Sequence, residues 1–156
     1  MQSEDKQTKL LSLKALCNLN PEYVKQFDLK QLLTENNKFR QLIISYVLPI
    51  LPLTELQEYE DFFLSQPKTK WIYLNLLFKK SCWHCLKLSL DLILEYPTDK
   101  NIAFFHKLFY QKTAFYQEIS NNLKIVIYDQ ITRVEKINNS QLKTVCRDIK
   151  FILKNV

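Results

Sequence analysis

Cys82-Trp83-His84-Cys85 is the one local arrangement in this chain whose spacing matches a known chemistry. Two thiols separated by two residues at a helix start can exchange electrons as a dithiol, because the helix N-terminus stabilises a thiolate. The preceding apolar run Trp71–Phe78 would then be the strand that feeds the dithiol turn. Two features oppose this. Dithiol exchange enzymes of that kind set a proline against the thiols from well downstream, and here no proline follows Pro97. They also need a sheet with tight turns. A thiol–disulfide oxidoreductase is therefore the remote reading, and two small apolar residues on a buried helix the expected one.

Zinc is the other use of a C-x-x-C pair. It requires a second pair of ligands to close a tetrahedron. Cys17, His106 and Cys146 are isolated from one another, and neither His84 nor His106 has a ligating partner one helical turn away. No metal and no cofactor is expected. Glu55, Glu58, Glu60 and Asp61 resemble paired catalytic carboxylates. Acid in the first turns of a helix is equally what the helix dipole favours. No serine stands in a nucleophile setting, so the expectation is a protein that is not an enzyme.

Two surface patterns remain. Lys143, Arg147, Lys150 and Lys154 repeat along one helical edge beside an apolar stripe. That edge can track phosphates or dock an acidic partner, or it can be lysine stems lying on apolar surface with their heads in water. Phe104, Phe105, Phe109, Tyr110, Phe115 and Tyr116, interleaved with His106, Lys107 and Lys112, occupy more than one helix face. Any of these aromatics left exposed would mark a partner groove or a stacking platform for single-stranded nucleic acid.

The elements that must position these residues are helical. Glycine is absent from all 156 residues, against an average of about 7%. That excludes glycine-rich phosphate loops, the dinucleotide fingerprint and the nucleophile elbow, and it disfavours tight β-hairpins. Asn20-Pro21-Glu22 places a capping residue before a proline at the first helical position. Asp28 with Gln31, and Thr54 with Gln57, have capping-box spacing; Ser81, Asp99 and Ser140 are further expected caps. Pro49 and Pro52 should stop the helix of Phe39, Leu42, Ile43, Tyr46 and Val47. Residues 69–80 are apolar on nearly every side, which predicts a central buried helix there. Leu123, Ile127, Ile131 and Val134 form one stripe, and Leu142, Cys146, Ile149 and Leu153 another. The β-branched run Lys124–Tyr128 tempts a strand, but the longer stripe outvotes it. Asparagine doublets at 36–37, 121–122 and 138–139 stand where left-handed C-caps would otherwise need glycine.

These signals predict an all-α fold of about eight short to medium antiparallel helices, arranged as an α-solenoid-like array of helix pairs or a compact multi-helix bundle. A polar tail over residues 1–8 would precede one helical domain over 9–156. The formal charge is +6, and it is polarised. Residues 1–61 hold 7 Lys/Arg against 9 Asp/Glu (net −2), and residues 62–156 hold 15 against 7 (net +8). Only three of the basic residues are arginine, Arg40, Arg133 and Arg147, which argues against base-specific reading. The N-terminus lacks signal-peptide character, and no apolar run approaches the roughly 20 residues of a membrane span. The expectation is a non-catalytic scaffold, adaptor or assembly subunit inside the cell, cytoplasmic or nuclear, with a protein partner. The alternative is a nucleic-acid-binding module using the basic second half.

Overall fold

A computed structural model describes residues 2–66, 69–110 and 117–156, including the side chains of Asp5 and of Gln7 onward in the first helix. Every regular element among the described residues is helical. The chain divides into two compact units, Met1–Ser65 and Gln66–Val156. No charged residue lies between 62 and 65. The charge polarity of the sequence therefore follows the unit boundary, with −2 on the first unit and +8 on the second.

The first unit opens with α1 (Gln2–Leu19), whose start lies within the stretch read as a polar tail. Asn20 then leaves the helical conformation, and its side chain accepts the Tyr23 N–H at 3.2 Å, starting α2 (Pro21–Val24). Asp28 caps α3 (Leu29–Glu35) by accepting the Gln31 N–H at 3.0 Å, as the capping-box spacing predicts. Asn36 separates α3 from α4 (Asn37–Leu42). Past Leu42 the ladder widens over Ile43–Val47 into a π-type turn, closed by the Leu48 N–H on the Ile43 carbonyl. Pro49 has no N–H to offer the carbonyl four residues back, which is a standing cause of such a departure. A short 3₁₀ turn, Leu48–Ile50, follows. Then come α5 (Leu53–Gln57) and α6 (Glu60–Leu64). Leu13, Cys17, Leu33, Phe39, Ile43, Val47, Leu56 and Phe63 are among the residues that form the core of this unit.

The second unit consists of α7 (Lys70–Lys80), α8 (Cys82–Glu95), α9 (Asp99–Phe109), α10 (Asn121–Val134) and α11 (Ser140–Asn155). The central buried helix is α8, and this corrects the expectation placed on residues 69–80. α7 buries Tyr73, Leu74 and Leu77 while Ile72 is exposed. α8 buries residues on most of its circumference and packs against α7, α9 and α10. Aromatic and aliphatic bulk over 69–80 misled because it sits on both sides of an ordinary amphipathic helix. α11 packs against α9 and α10 through the predicted stripe of Leu142, Cys146, Ile149 and Leu153, joined by Val145. Lys124–Tyr128 lies inside α10.

Several caps fall one residue from the expected place. Thr98, not Asp99, accepts the Asn101 N–H, and Asp99 enters the first turn, where the dipole favours acid. Asn139, not Ser140, accepts the Leu142 N–H at 3.0 Å. α5 begins at Leu53 behind Pro52, so Thr54 makes no cap. The asparagine doublets are corrected as well. No described residue has a positive φ. Asn36 sits at φ −161° with its side chain on the Lys38 and Phe39 N–H groups, and Asn121-Asn122 opens α10. None of the described doublets ends a helix in left-handed geometry; each stands at the start of the next helix, and Asn36 also closes α3 in an extended conformation.

Among the described residues there are eleven α-helical segments where about eight were expected, in part because Tyr59 cuts the run that the pattern joined from Leu56 to Phe63. Ile149 is fully buried in the core of the second unit. Ile149→Ala is expected to cost roughly 2–5 kcal/mol in denaturant unfolding. A loss below about 0.5 kcal/mol, the range of surface sites, would mean that α11 buries a different face.

Candidate functional site

The dithiol sits at the start of α8. Ser81, extended at φ −153°, caps the helix by accepting the His84 N–H at 3.4 Å, and its hydroxyl lies 2.7 Å from His84 Nδ1. The helix N-terminus should stabilise a thiolate, and the Cys82 and Trp83 N–H groups do act in that direction. Burial is the larger effect and pushes the Cys82 thiol up from 9.0 to about 12. Burial likewise carries Cys85 to about 12, and Cys85 Sγ donates to the Leu74 carbonyl at 3.1 Å. Gln117 closes over Cys82 and Trp83. Its Oε1 accepts from the Cys82 N–H and Sγ, both at 3.3 Å, and its carbonyl accepts the Trp83 indole N–H at 2.8 Å. Cys82 and Trp83 thus anchor Gln117 to α8. Cys17 and Cys146 are also buried free thiols. The latter is raised to about 12, by burial first and Glu135 second.

Among the described residues no three His, Cys, Asp or Glu side chains gather as a metal-ligand set, and no helix is long and apolar enough to cross a membrane. Glu55 lies in the first turn of α5, and Glu60 and Asp61 lie in the first turn of α6.

The basic edge of α11 is not uniform. Lys143, Arg147 and Lys154 are exposed. Lys150 is half-buried, and its Nζ donates to Glu135 Oε2 at 2.5 Å. Arg147 has only a long contact, 3.8 Å, with the neighbouring Asp148. The second oxygen of Asp148 accepts the Tyr110 hydroxyl at 2.9 Å.

The aromatic cluster disperses into different roles. Phe105 and Phe109 are core. Phe104 is half-buried, with its ring 4.3 Å from that of Trp71. Tyr110 is exposed and stacks at 4.6 Å on His106. Phe115 and Tyr116, with Lys112, lie outside the described residues.

The two most exposed large apolar residues of this unit among the described residues stand elsewhere, outside the aromatic cluster. Phe151 on α11 is 70% exposed and Ile125 on α10 is 68% exposed. Phe151 comes four residues after Arg147 and three before Lys154, which places all three on one face of α11. The signal was available. Phe151 falls two residues past Ile149, on the side of the helix away from the apolar stripe, where no core can receive it. The two helices run antiparallel, because Lys124 Nζ reaches the Val156 carbonyl at 2.8 Å and the Tyr128 hydroxyl the Lys150 carbonyl at 3.4 Å.

The raised thiols have a consequence for stability. A group whose pKa is higher folded than unfolded stabilises fully below its unfolded pKa and loses that contribution as pH rises to the folded value. The denaturation midpoint should therefore fall between pH 9.0 and about 12, and fall less in a Cys82→Ala, Cys85→Ala, Cys146→Ala variant. In the native protein near neutral pH, an aromatic disulfide reagent should label Cys82 and Cys85 only as fast as the protein opens. Immediate labelling would contradict this burial.

Compared with protein-family models, with curated proteins and with solved structures, the chain matches none of them.

Proposed function

We infer that this chain is a non-catalytic helical adaptor, a subunit of a larger intracellular assembly, which docks a protein partner on the outer face of α11. Phe151 carries the reading. A large aromatic that is 70% exposed, with Arg147 and Lys154 on the same helical face, has the composition of an interface anchor. The opposite face of α11 is spent on the core, so the helix is held rigidly while its outer face is free to bind. Net charge of +8 on this unit favours an acidic partner surface and fast encounter. The most nucleophilic side chains, the cysteines, are buried with raised pKa values, which supports the absence of thiol chemistry. Four free thiols suit a reducing compartment, cytoplasm or nucleus.

The test compares variants that leave the core alone. Lys150 stays, because its removal would strand Glu135. Lys143→Gln, Arg147→Gln and Lys154→Gln together, and Phe151→Ala separately, should each shift stability by less than about 0.5 kcal/mol per site. Both should lose the partner that the unaltered protein captures from its native source. Capture that persists in both variants would remove α11 from the account, and turnover of a thiol, phosphate or ester substrate would remove the non-catalytic reading.

A second reading draws on the same charge. The unit's +8 and an exposed aromatic ring also suit single-stranded nucleic acid, with the base stacked on Phe151. It requires affinity for a mixed-sequence oligonucleotide to fall steeply with salt, at a slope of about −0.7 per phosphate contact on single strands. A flat salt response would eliminate it.

A further inference from the structure

The first unit carries a groove of about 420 Å³ between α1 and α3. Leu13 and Phe39, both buried, form its floor, and Leu16 and Leu32, half-buried, form its walls. Phe27 lines it while remaining 45% exposed, so the groove stays open to solvent. Small-molecule pockets bury about 70–90% of the ligand, which an open trough between two helices cannot do. Such a trough fits the apolar stripe of a third helix. The charges on its rim are unequal. The α3 side presents Glu35 and Asp28, seven residues or roughly 10 Å apart along a helix axis; one oxygen of Asp28 accepts the Gln31 N–H, and the carboxylate keeps its charge. On the α1 side Lys9 lies 3.9 Å from Asp5, so its charge already has a counter-ion.

We propose that this groove binds a short amphipathic helix of a partner protein, one with apolar residues at i, i+3 or i+4 and i+7 and Lys or Arg two turns apart along one edge. The apolar side chains enter between Leu16 and Leu32, and the cations meet Asp28 and Glu35. The net −2 of the unit acts in the same direction. This surface belongs to the first unit and is independent of the α11 face.

The probe is a fluorescein-labelled Leu/Lys peptide of about 15 residues, long enough to hold a helix, titrated into the full chain by anisotropy. A Leu/Glu peptide of identical pattern is the counterpart. The Leu/Lys peptide should bind and shift the methyl NMR signals of Leu13, Leu16 and Leu32, and the Leu/Glu peptide should not. Glu35→Lys should weaken binding by about tenfold or more, because a like charge then faces the peptide. Phe27→Ala should weaken it as well. The exposure of both side chains keeps folding intact. The α11 variants should bind the peptide as the unaltered chain does, so failure of the groove and failure of the α11 surface are distinguishable. Undiminished binding to both groove variants, equal binding of the Leu/Glu peptide, or methyl shifts confined to other residues would overturn the proposal. So would self-association abolished by Glu35→Lys, which would assign the groove to a second copy of the chain.

Discussion

Turning a helical chain without glycine is the constraint on which the rest of this structure depends. Left-handed residues end many helices because they let the chain reverse while satisfying the last carbonyls. No described residue adopts a positive φ, so reversal is achieved from the other side of each break. One non-helical residue interrupts the helix, and its side chain immediately caps the next. Asn20, Asn36 and Ser81 each perform this alone, between α1 and α2, α3 and α4, and α7 and α8. Each has φ near −155° and an oxygen on an N–H two or three residues ahead. Asp28, Thr98, Ser120 and Asn139 do the same at longer connections. The break and the cap are one residue, which makes the connection short and its direction fixed.

The fate of the dithiol follows from this. Ser81 sets α8 starting one residue after α7 ends, so the first turn of α8 lies directly against its neighbour. Cys82 and Cys85 then fall on the buried side, where Leu74 and Gln117 take their hydrogen-bonding capacity. A thiol at a helix N-terminus is activated only where the dipole outweighs the cost of burying the charged sulfur. Here the desolvation of the sulfur outweighs the dipole. The motif that best fits an enzyme in the sequence is an anchor for the segment before α10.

Legibility was uneven for identifiable reasons. Apolar stripes that sit on one long helix were read correctly, as Leu142, Cys146, Ile149 and Leu153 show, because periodicity averages over several turns. Apart from Thr54, caps fall within a residue of the expected place, because adjacent capping residues such as Thr98 and Asp99 compete and only geometry chooses between them. The asparagines were read at the wrong end of the helix. Asparagine serves both termini, and composition alone does not state which side of the break it closes. Surface features were the least legible. By spacing alone Lys150 is equivalent to its neighbours, and only the packing puts Glu135 beside it; Phe151 is an exposed aromatic in a sequence whose described aromatics are mostly buried or half-buried. What a side chain meets across helices is tertiary information that spacing along one helix does not contain.

The capping side chains hold the helix starts, and the outer face of α11 and the α1–α3 groove are the exposed surfaces proposed for recognition. That division rests on capping by extended residues, and the most direct test is a paired substitution at Asn36, Ser81 and Asn139 followed by chemical denaturation. If each residue acts as an N-cap, alanine should cost about 0.5–2 kcal/mol at each position and glycine only a few tenths. If these residues instead ended the preceding helices in left-handed geometry, glycine would stabilise the protein at each position. A gain in stability on introducing glycine would contradict the account.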